Sequence, residues 1–370
     1  MNGPGAPTAQ ASATKKSRAQ ALDLIRALAA LGVLTYHVWL YRLPNPNRPT
    51  RDGWFDYALF ELRIGLVVFF VLSGYLLYRP LLGKDGMLRN IRTRDYYRRR
   101  IARIVPTYYL AILASIALLW SIGDTPGVRL PDASDLWLFP FFLQNYSSET
   151  LLSLDAPTWT LAVQAAFYLV FPLFLLAGIL LRRRSWIVPV ALIVAGIIWN
   201  WVTFKQGGGP IWRLALPAML PYMAIGMLIA HIPPLGSRSA ASTMILGGLG
   251  LAVGNSVWHA VGGGGDVVGV LRDIPGAVGF GLIIAGAAQQ TIGSSKLFSP
   301  LEAFGRWSYG VFLFHLPLLL WLKGHDLMPG SALLTWMLLV AVASAAGALT
   351  WRFVERPLLA RTRATRSTAS

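Results

Sequence analysis

LDLIRALAALGVLTYHVW, residues 22–39, decides the fold. Eighteen residues at a rise of about 1.5 Å each make a helix roughly 27 Å long, close to the hydrocarbon thickness of a bilayer. The run is apolar apart from Asp23, Arg26, Thr35 and His37. Ionisable groups inside a span are costly and usually face the bundle interior at a functional position. Arg26 and His37 are eleven residues apart, which at about 100° per residue is three turns plus about 20°. They share one helix face, separated by roughly 16 Å along the axis. Asp23, three residues before Arg26, can pair with it. The plainer alternative makes Asp23 and Arg26 an interfacial pair and His37 a hydrogen-bonded anchor at the headgroups.

Nine further apolar segments follow, near 64–80, 104–121, 159–181, 186–204, 214–232, 241–260, 274–291, 307–322 and 332–351. With 370 residues, 55% hydrophobic content, mean hydropathy +0.53 and only 13% charged residues, the chain departs from soluble composition, in which roughly 25% is charged. The expected fold is an all-α polytopic membrane protein of about ten transmembrane helices with both termini inside. Under that topology the 33 Lys and Arg divide 24 inside to 9 outside, and the 16 Asp and Glu divide 5 to 11. The formal charge of +17 thus becomes +19 inside and −2 outside, the asymmetry that membrane topology imposes. Residues 1–19 read as a disordered cytoplasmic tail, 20–357 as the membrane domain and 358–370 as a basic cytoplasmic tail. The absence of cysteine excludes disulfides, thiolate nucleophiles and Cys-ligated metals. No basic module stands apart from the apolar segments, so no nucleic-acid partner is expected; membrane lipids are.

The second charged cluster is RNIRTRDYYRRRIARIVPTYY, residues 89–109. Arg100 and Arg103, with Arg99 beside them, lie at the mouth of the third span. Residues three apart share a helix face, and guanidinium forks suit phosphate oxygens. Taken as a whole, the loop reads first as a positive-inside signal that also attracts anionic lipid. Ser73, Gln164, Asn200, Asn255 and His315 are the other polar residues in or beside apolar segments. A lone His315 ahead of Pro317 is more often structural, and Ser73 in FFVLSGYLL suits helix packing. His231 and His259 sit at span ends and read as interfacial. Five scattered histidines without ligand spacing give no reason to expect a metal.

Taken together these stretches resemble the integral-membrane acyltransferase-3 family, bacterial membrane O-acyltransferases, over about residues 20–357. LDLIRALAALGVLTYH is similar to the family's first helix, IGLVVFFVLSGYLL (64–77) to the second, and RRRIARIVPTYYL (98–110) to the basic start of the third. PTWTLAVQAAFYLVFPL (157–173), FGRWSYGVFLFHLPL (304–318) and FVERPLL (353–359) match the fourth, ninth and last. The departure is Gln164, where the family usually has Glu; an amide hydrogen-bonds but takes no proton as a base.

The resemblance implies transfer of an acyl group, by default acetyl, from cytoplasmic acyl-CoA to a hydroxyl of a sugar-containing acceptor in the bacterial cell envelope. It makes His37, Arg26 and Asp23 the catalytic group and Arg100, Arg103 and Arg99 the donor-binding group. Ser73, Tyr75, Trp159, Gln164, Tyr309 and His315 become pocket residues. No permanently bound cofactor and no metal is implied; acyl-CoA is a co-substrate. A histidine with an ordinary pKa near 6.5 suits deprotonation of a sugar hydroxyl. The outer loops 42–63 and 122–158 would select the acceptor, with Asp124, Asp132, Asp135, Glu149 and Asp155 as candidate sugar contacts. The competing class is a secondary transporter or flippase for a lipid-linked sugar or small anion, although the first-span Arg/His pattern does not recur as an internal repeat. Oligomeric state is not legible.

Overall fold

The computed structural model describes residues 9–123, 127–261, 265–290 and 298–367. Among them there is no β-strand, only an antiparallel bridge between Leu82 and Leu88. The helices are α1 (Ala9–Arg42), α2 (Trp54–Glu61), α3 (Gly65–Tyr78), α4 (Thr93–Leu119), α5 (Trp159–Leu180), α6 (Ile187–Lys205) and α7 (Pro210–Arg213). They continue with α8 (Leu216–Ile229), α9 (Arg238–Val261), α10 (Asp266–Leu271), α11 (Ile274–Ala287), α12 (Ser299–Gly324), α13 (Ala332–Thr350) and α14 (Arg356–Ser367). Among the described residues, eight helical segments are long and apolar enough to cross a membrane. The eighth and ninth predicted positions carry α11, only 14 residues long, and α12, whose 26 residues include Glu302, Arg306 and Lys323. The chain is an all-α, multi-pass membrane protein.

One sequence expectation is corrected at the N-terminal end, and helix is added at the C-terminal end. Residues 9–19, expected as a disordered tail, form the first turns of α1, continuous with the apolar run. Their Ala, Gln, Lys and Arg content favours helix, and the Ser17 hydroxyl and Arg18 Nε dock on the carbonyls of Gln290 and Ala288. The basic segment after 357 is helical through Ser367, joined to α13 by a π turn at Trp351–Glu355.

The interior divides into two apolar clusters. One gathers buried residues of α3, α5, α8 and α11, including Phe70, Val71, Phe167, Phe171, Tyr222 and Met223. The other gathers α1, α4, α12 and α13, including Leu34, Tyr108, Val311, Leu316 and Leu339. In lipid, helices associate through close backbone approach rather than through apolar burial alone, so small residues sit at the contacts. Gly74 of α3 lies against the Met223 backbone of α8, and Gly226 returns the contact against Val71. Gly305 of α12 lies against the backbone of Asp23 in α1. Any side chain at these glycines would overlap a neighbouring backbone. Pro106, Pro172, Pro221 and Pro317 all fall inside helices, which neighbouring helices make tolerable in a bilayer.

The α1–α12 pair sets the geometry of the site. Asp23 meets Gly305 near one end, and the Tyr41 carbonyl accepts from Lys323 Nζ at 2.9 Å near the other. The two helices therefore run parallel, and residues near His37 face residues near His315.

Candidate active site

Two cavities flank α1. The first, about 280 Å³, lies at the basic end of the bundle and is lined by Arg26, Ser73, Arg100, Arg103, Gln164, Tyr168 and Tyr309, among others. Arg26 Nη1 is fixed by Asp23 Oδ1 at 2.6 Å, as the i,i+3 spacing anticipates. The Arg100 guanidinium stands 5.2 Å from the Tyr168 ring centroid and 5.9 Å from that of Tyr96, within cation–π range. The Tyr168 hydroxyl donates to Gln164 Oε1 at 3.3 Å and lies 3.5 Å from Ser73 Oγ. Tyr309 ties α12 to α4 by donating to the Ile104 carbonyl at 2.8 Å. Three guanidinium groups thus converge there, and among the described residues only Asp23 forms an ion pair with one of them, an arrangement suited to a polyanion.

The second cavity, about 410 Å³, lies at the opposite end and is lined by Tyr36, His37, Tyr41, Asn47, Arg63, Arg129, Trp159, Tyr222, Arg272 and Asp273, among others. Leu66 of α3 lines both cavities and separates them. His37 Nδ1 is 3.0 Å from His315 Nε2 across the α1–α12 contact. Tyr36 and Tyr41 flank the His37 ring, with centroids 4.9 and 6.3 Å away. The arrangement offers one imidazole at a roomy, aromatic, polar-edged cavity, which suits a hydroxylated ligand.

Beside it, Arg63 holds Asp273 Oδ2 at 3.0 Å and Glu61 Oε1 at 3.2 Å. Burial alone would raise the Asp273 carboxyl, but the Arg63 guanidinium outweighs it and holds the group below the usual carboxylate range. His259 joins the network, with Nδ1 3.4 Å from Glu61 Oε2 and Nε2 3.1 Å from the Arg272 carbonyl. Glu61, His259 and Asp273 bring ligand-type atoms within 4.8 Å of one another, a cluster that sequence spacing did not reveal because it comes from three elements. Arg63 supplies the positive charge there. Asp155, fully buried just ahead of Ala156 and Pro157 of the cavity wall, has neither carboxylate oxygen hydrogen-bonded, and burial pushes its carboxyl well up.

Of the sequence-predicted residues, Arg26, Asp23, Arg100, Arg103, Ser73, Gln164 and Tyr309 gather at the first cavity, and His37, Trp159 and His315 at or behind the second. Arg99 is exposed and lines neither. Tyr75 lines a separate small cavity with Arg18 and Arg79. Asp124 lies outside the described residues; Asp132, Asp135 and Glu149 line neither cavity. Sequence reasoning missed Tyr168, Arg129, Arg272 and Glu355. Glu355 is 4% exposed and within electrostatic reach of Arg103; an acid in an apolar segment was the available signal.

Residues 20–352 match the family described as an acyltransferase domain. Over 359 residues the chain is 23% identical to the O-acetyltransferase OatA of Staphylococcus aureus, covering 91% of this chain and 56% of that protein. Over 368 residues it is 24% identical to the peptidoglycan O-acetyltransferase OatA of Listeria monocytogenes, covering 91% and 55%. A Bacillus subtilis relative, YrhL, is 31% identical over 200 residues, covering 51% of this chain and 29% of its own length. The chain spans about half the length of the OatA relatives it matches. No solved structure matches. With the family match running from before Asp23 to beyond Thr350, through every helix that lines the two cavities, the chain belongs to the integral-membrane acyltransferase-3 family.

Proposed function

We propose that the protein is an O-acyltransferase that moves an acetyl group from cytoplasmic acetyl-CoA to a hydroxyl of a cell-envelope sugar polymer of the peptidoglycan class. The observation that carries this reading is the pair of cavities at opposite ends of α1, one holding Arg26, Arg100 and Arg103, the other His37, with Leu66 between them. The charge asymmetry of the sequence puts the arginine end in the cytoplasm, where CoA thioesters are made. The nucleotide phosphates meet Arg100 and Arg103, and the extended pantetheine arm passes Arg26 to bring the thioester toward His37, a rise of roughly 16 Å. The sugar occupies the second cavity, among Tyr36, Trp159 and Arg129.

In the reaction, a ring nitrogen of His37 takes the proton of the acceptor hydroxyl as that oxygen attacks the thioester carbonyl. The tetrahedral intermediate collapses with cleavage of the carbon–sulfur bond. The thiolate recovers the proton from the imidazolium, leaving an ester and free CoA. Direct transfer needs no acyl-enzyme and no group other than those present.

Acetyl-CoA binding by purified protein in detergent tests the donor half. Replacing Arg100 and Arg103 together with alanine should weaken binding by at least about tenfold, since each charge-assisted hydrogen bond contributes about 1.5–3 kcal/mol. Folded parent protein that neither binds acetyl-CoA nor releases CoA, but supports substrate counterflow in proteoliposomes, would make it a transporter.

A further inference from the structure

We infer that His315 is a positioning residue: it holds His37 in the Nδ1–H tautomer and so leaves Nε2 as the nitrogen with the free lone pair. The inference rests on the reading of His37 as the base and adds which atom acts and what selects it.

The hydrogen-bond chain leaves one assignment. His315 Nδ1 lies 2.7 Å from the Phe312 carbonyl and 3.2 Å from the Val311 carbonyl. Carbonyls only accept, so Nδ1 carries the hydrogen. A neutral imidazole has a single N–H, so His315 Nε2 presents a lone pair toward His37 Nδ1 at 3.0 Å. Two lone pairs do not form a hydrogen bond; the hydrogen is therefore on His37 Nδ1. His37 Nε2 is then unprotonated, and no described residue hydrogen-bonds to it. Its ring lines the second cavity, where the proposed hydroxyl enters.

Both rings are neutral at rest on the same geometry. His315 is 1% exposed, and an unpaired buried cation is heavily penalised. Among the described residues the only histidine within ion-pair distance of a carboxylate is His259, in the separate Arg63 network. The rings around the pair are Tyr36 and Tyr41 beside His37 and Phe312 beside His315. When Nε2 takes the hydroxyl proton, the imidazolium keeps donating through Nδ1 to His315, whose own N–H points at two carbonyls. That aligned chain steadies the transient charge without moving a proton along it, the orienting role that a buried carboxylate plays in a catalytic triad, performed here by a neutral ring. The parallel docking of α1 on α12 holds the two rings in register.

The first test is direct: nitrogen-15 NMR of histidine-labelled protein in detergent, with the two rings assigned through His37→Ala and His315→Leu. The expected wild-type result is a protonated Nδ1 and bare Nε2 on both. The second is kinetic. His315→Leu should lower kcat about tenfold or more with the KM for acetyl-CoA within about twofold, and His315→Gln, whose amide oxygen can accept from His37 Nδ1, should restore most of it. A residue that only fills space would show no such rescue. If His37 is found as the Nε2–H tautomer while His37→Ala abolishes turnover, the inference falls and the base reading survives. If His37→Ala retains turnover, the base reading falls and takes the positioning role with it. Unchanged kcat in folded His315→Leu also overturns the inference.

Discussion

The two cavities, about 280 and 410 Å³, share Leu66 and differ in electrostatic logic. In the first, Arg26 is neutralised by Asp23, while Arg100 rests on tyrosine rings rather than on a carboxylate. Its positive charge is held in place yet left unspent, as a site for phosphates requires. In the second, Arg63 is paired with Glu61 and Asp273, and the polar edge is made of tyrosines, Asn47, Trp159, His37, Arg129 and Arg272. That wall suits a neutral or weakly charged hydroxylated ligand. Between them the protein separates binding a polyanion from handling one proton, and the chemistry must occur where the two meet.

The sharpest way to break this division is at His37. Its replacement by alanine should reduce CoA release in the presence of acceptor by at least about 100-fold, the scale of general-base catalysis, while acetyl-CoA affinity stays near normal. A matching loss of donor binding would mean the two cavities act as one. Leu66→Trp comes next, because it fills the shared wall. Donor binding should persist and turnover fall about tenfold or more, as displacements near 1 Å of reacting groups do; size-exclusion and thermal scans must show that the overpacking, about 1–3 kcal/mol, is tolerated. Arg129→Ala is milder. It should raise the acceptor KM about fivefold, within the range of one exposed charge-assisted contact, without altering acetyl-CoA affinity.

How much of this could be read from sequence follows the same division. Arg26, His37, Arg100 and Arg103 were legible because helical periodicity and the cost of intramembrane charge act within one element each. The partnership of His37 with His315 was not, since it spans 278 positions and a lone histidine on an apolar helix usually satisfies itself locally, as Nδ1 of His315 in fact does. The Glu61–Arg63–His259–Asp273 network escaped for a similar reason: α2, α9 and the turn before α11 meet only in the folded bundle. Arg129 and Arg272 belong to loops, where no period marks a face. At the ends, composition alone suggested disorder for residues 9–19, but helix propensity and continuity with α1 prevail there.

Asp155 offers the smallest and cleanest probe of the second cavity. It is fully buried in the wall segment that carries Leu152, Ala156 and Pro157, both carboxylate oxygens lack a hydrogen-bond partner, and burial raises its carboxyl well above the ordinary value of 3.8. For an acid raised in the folded state, the fold prefers the protonated form. The destabilisation is absent below the unfolded value, near 3.9, and grows until pH exceeds the folded value. Asp155→Asn keeps the shape and removes the buried charge. At pH 7 it should raise the unfolding temperature by about 1–2 °C, corresponding to about 1 kcal/mol in a chain of this length, and that gain should vanish as pH falls toward 4. Turnover should be unchanged, because the acceptor reads the cavity's tyrosines, arginines and His37 rather than this carboxylate. If the variant is instead more stable and inactive, Asp155 is a buried charge kept for function, and the second cavity handles protons at two positions.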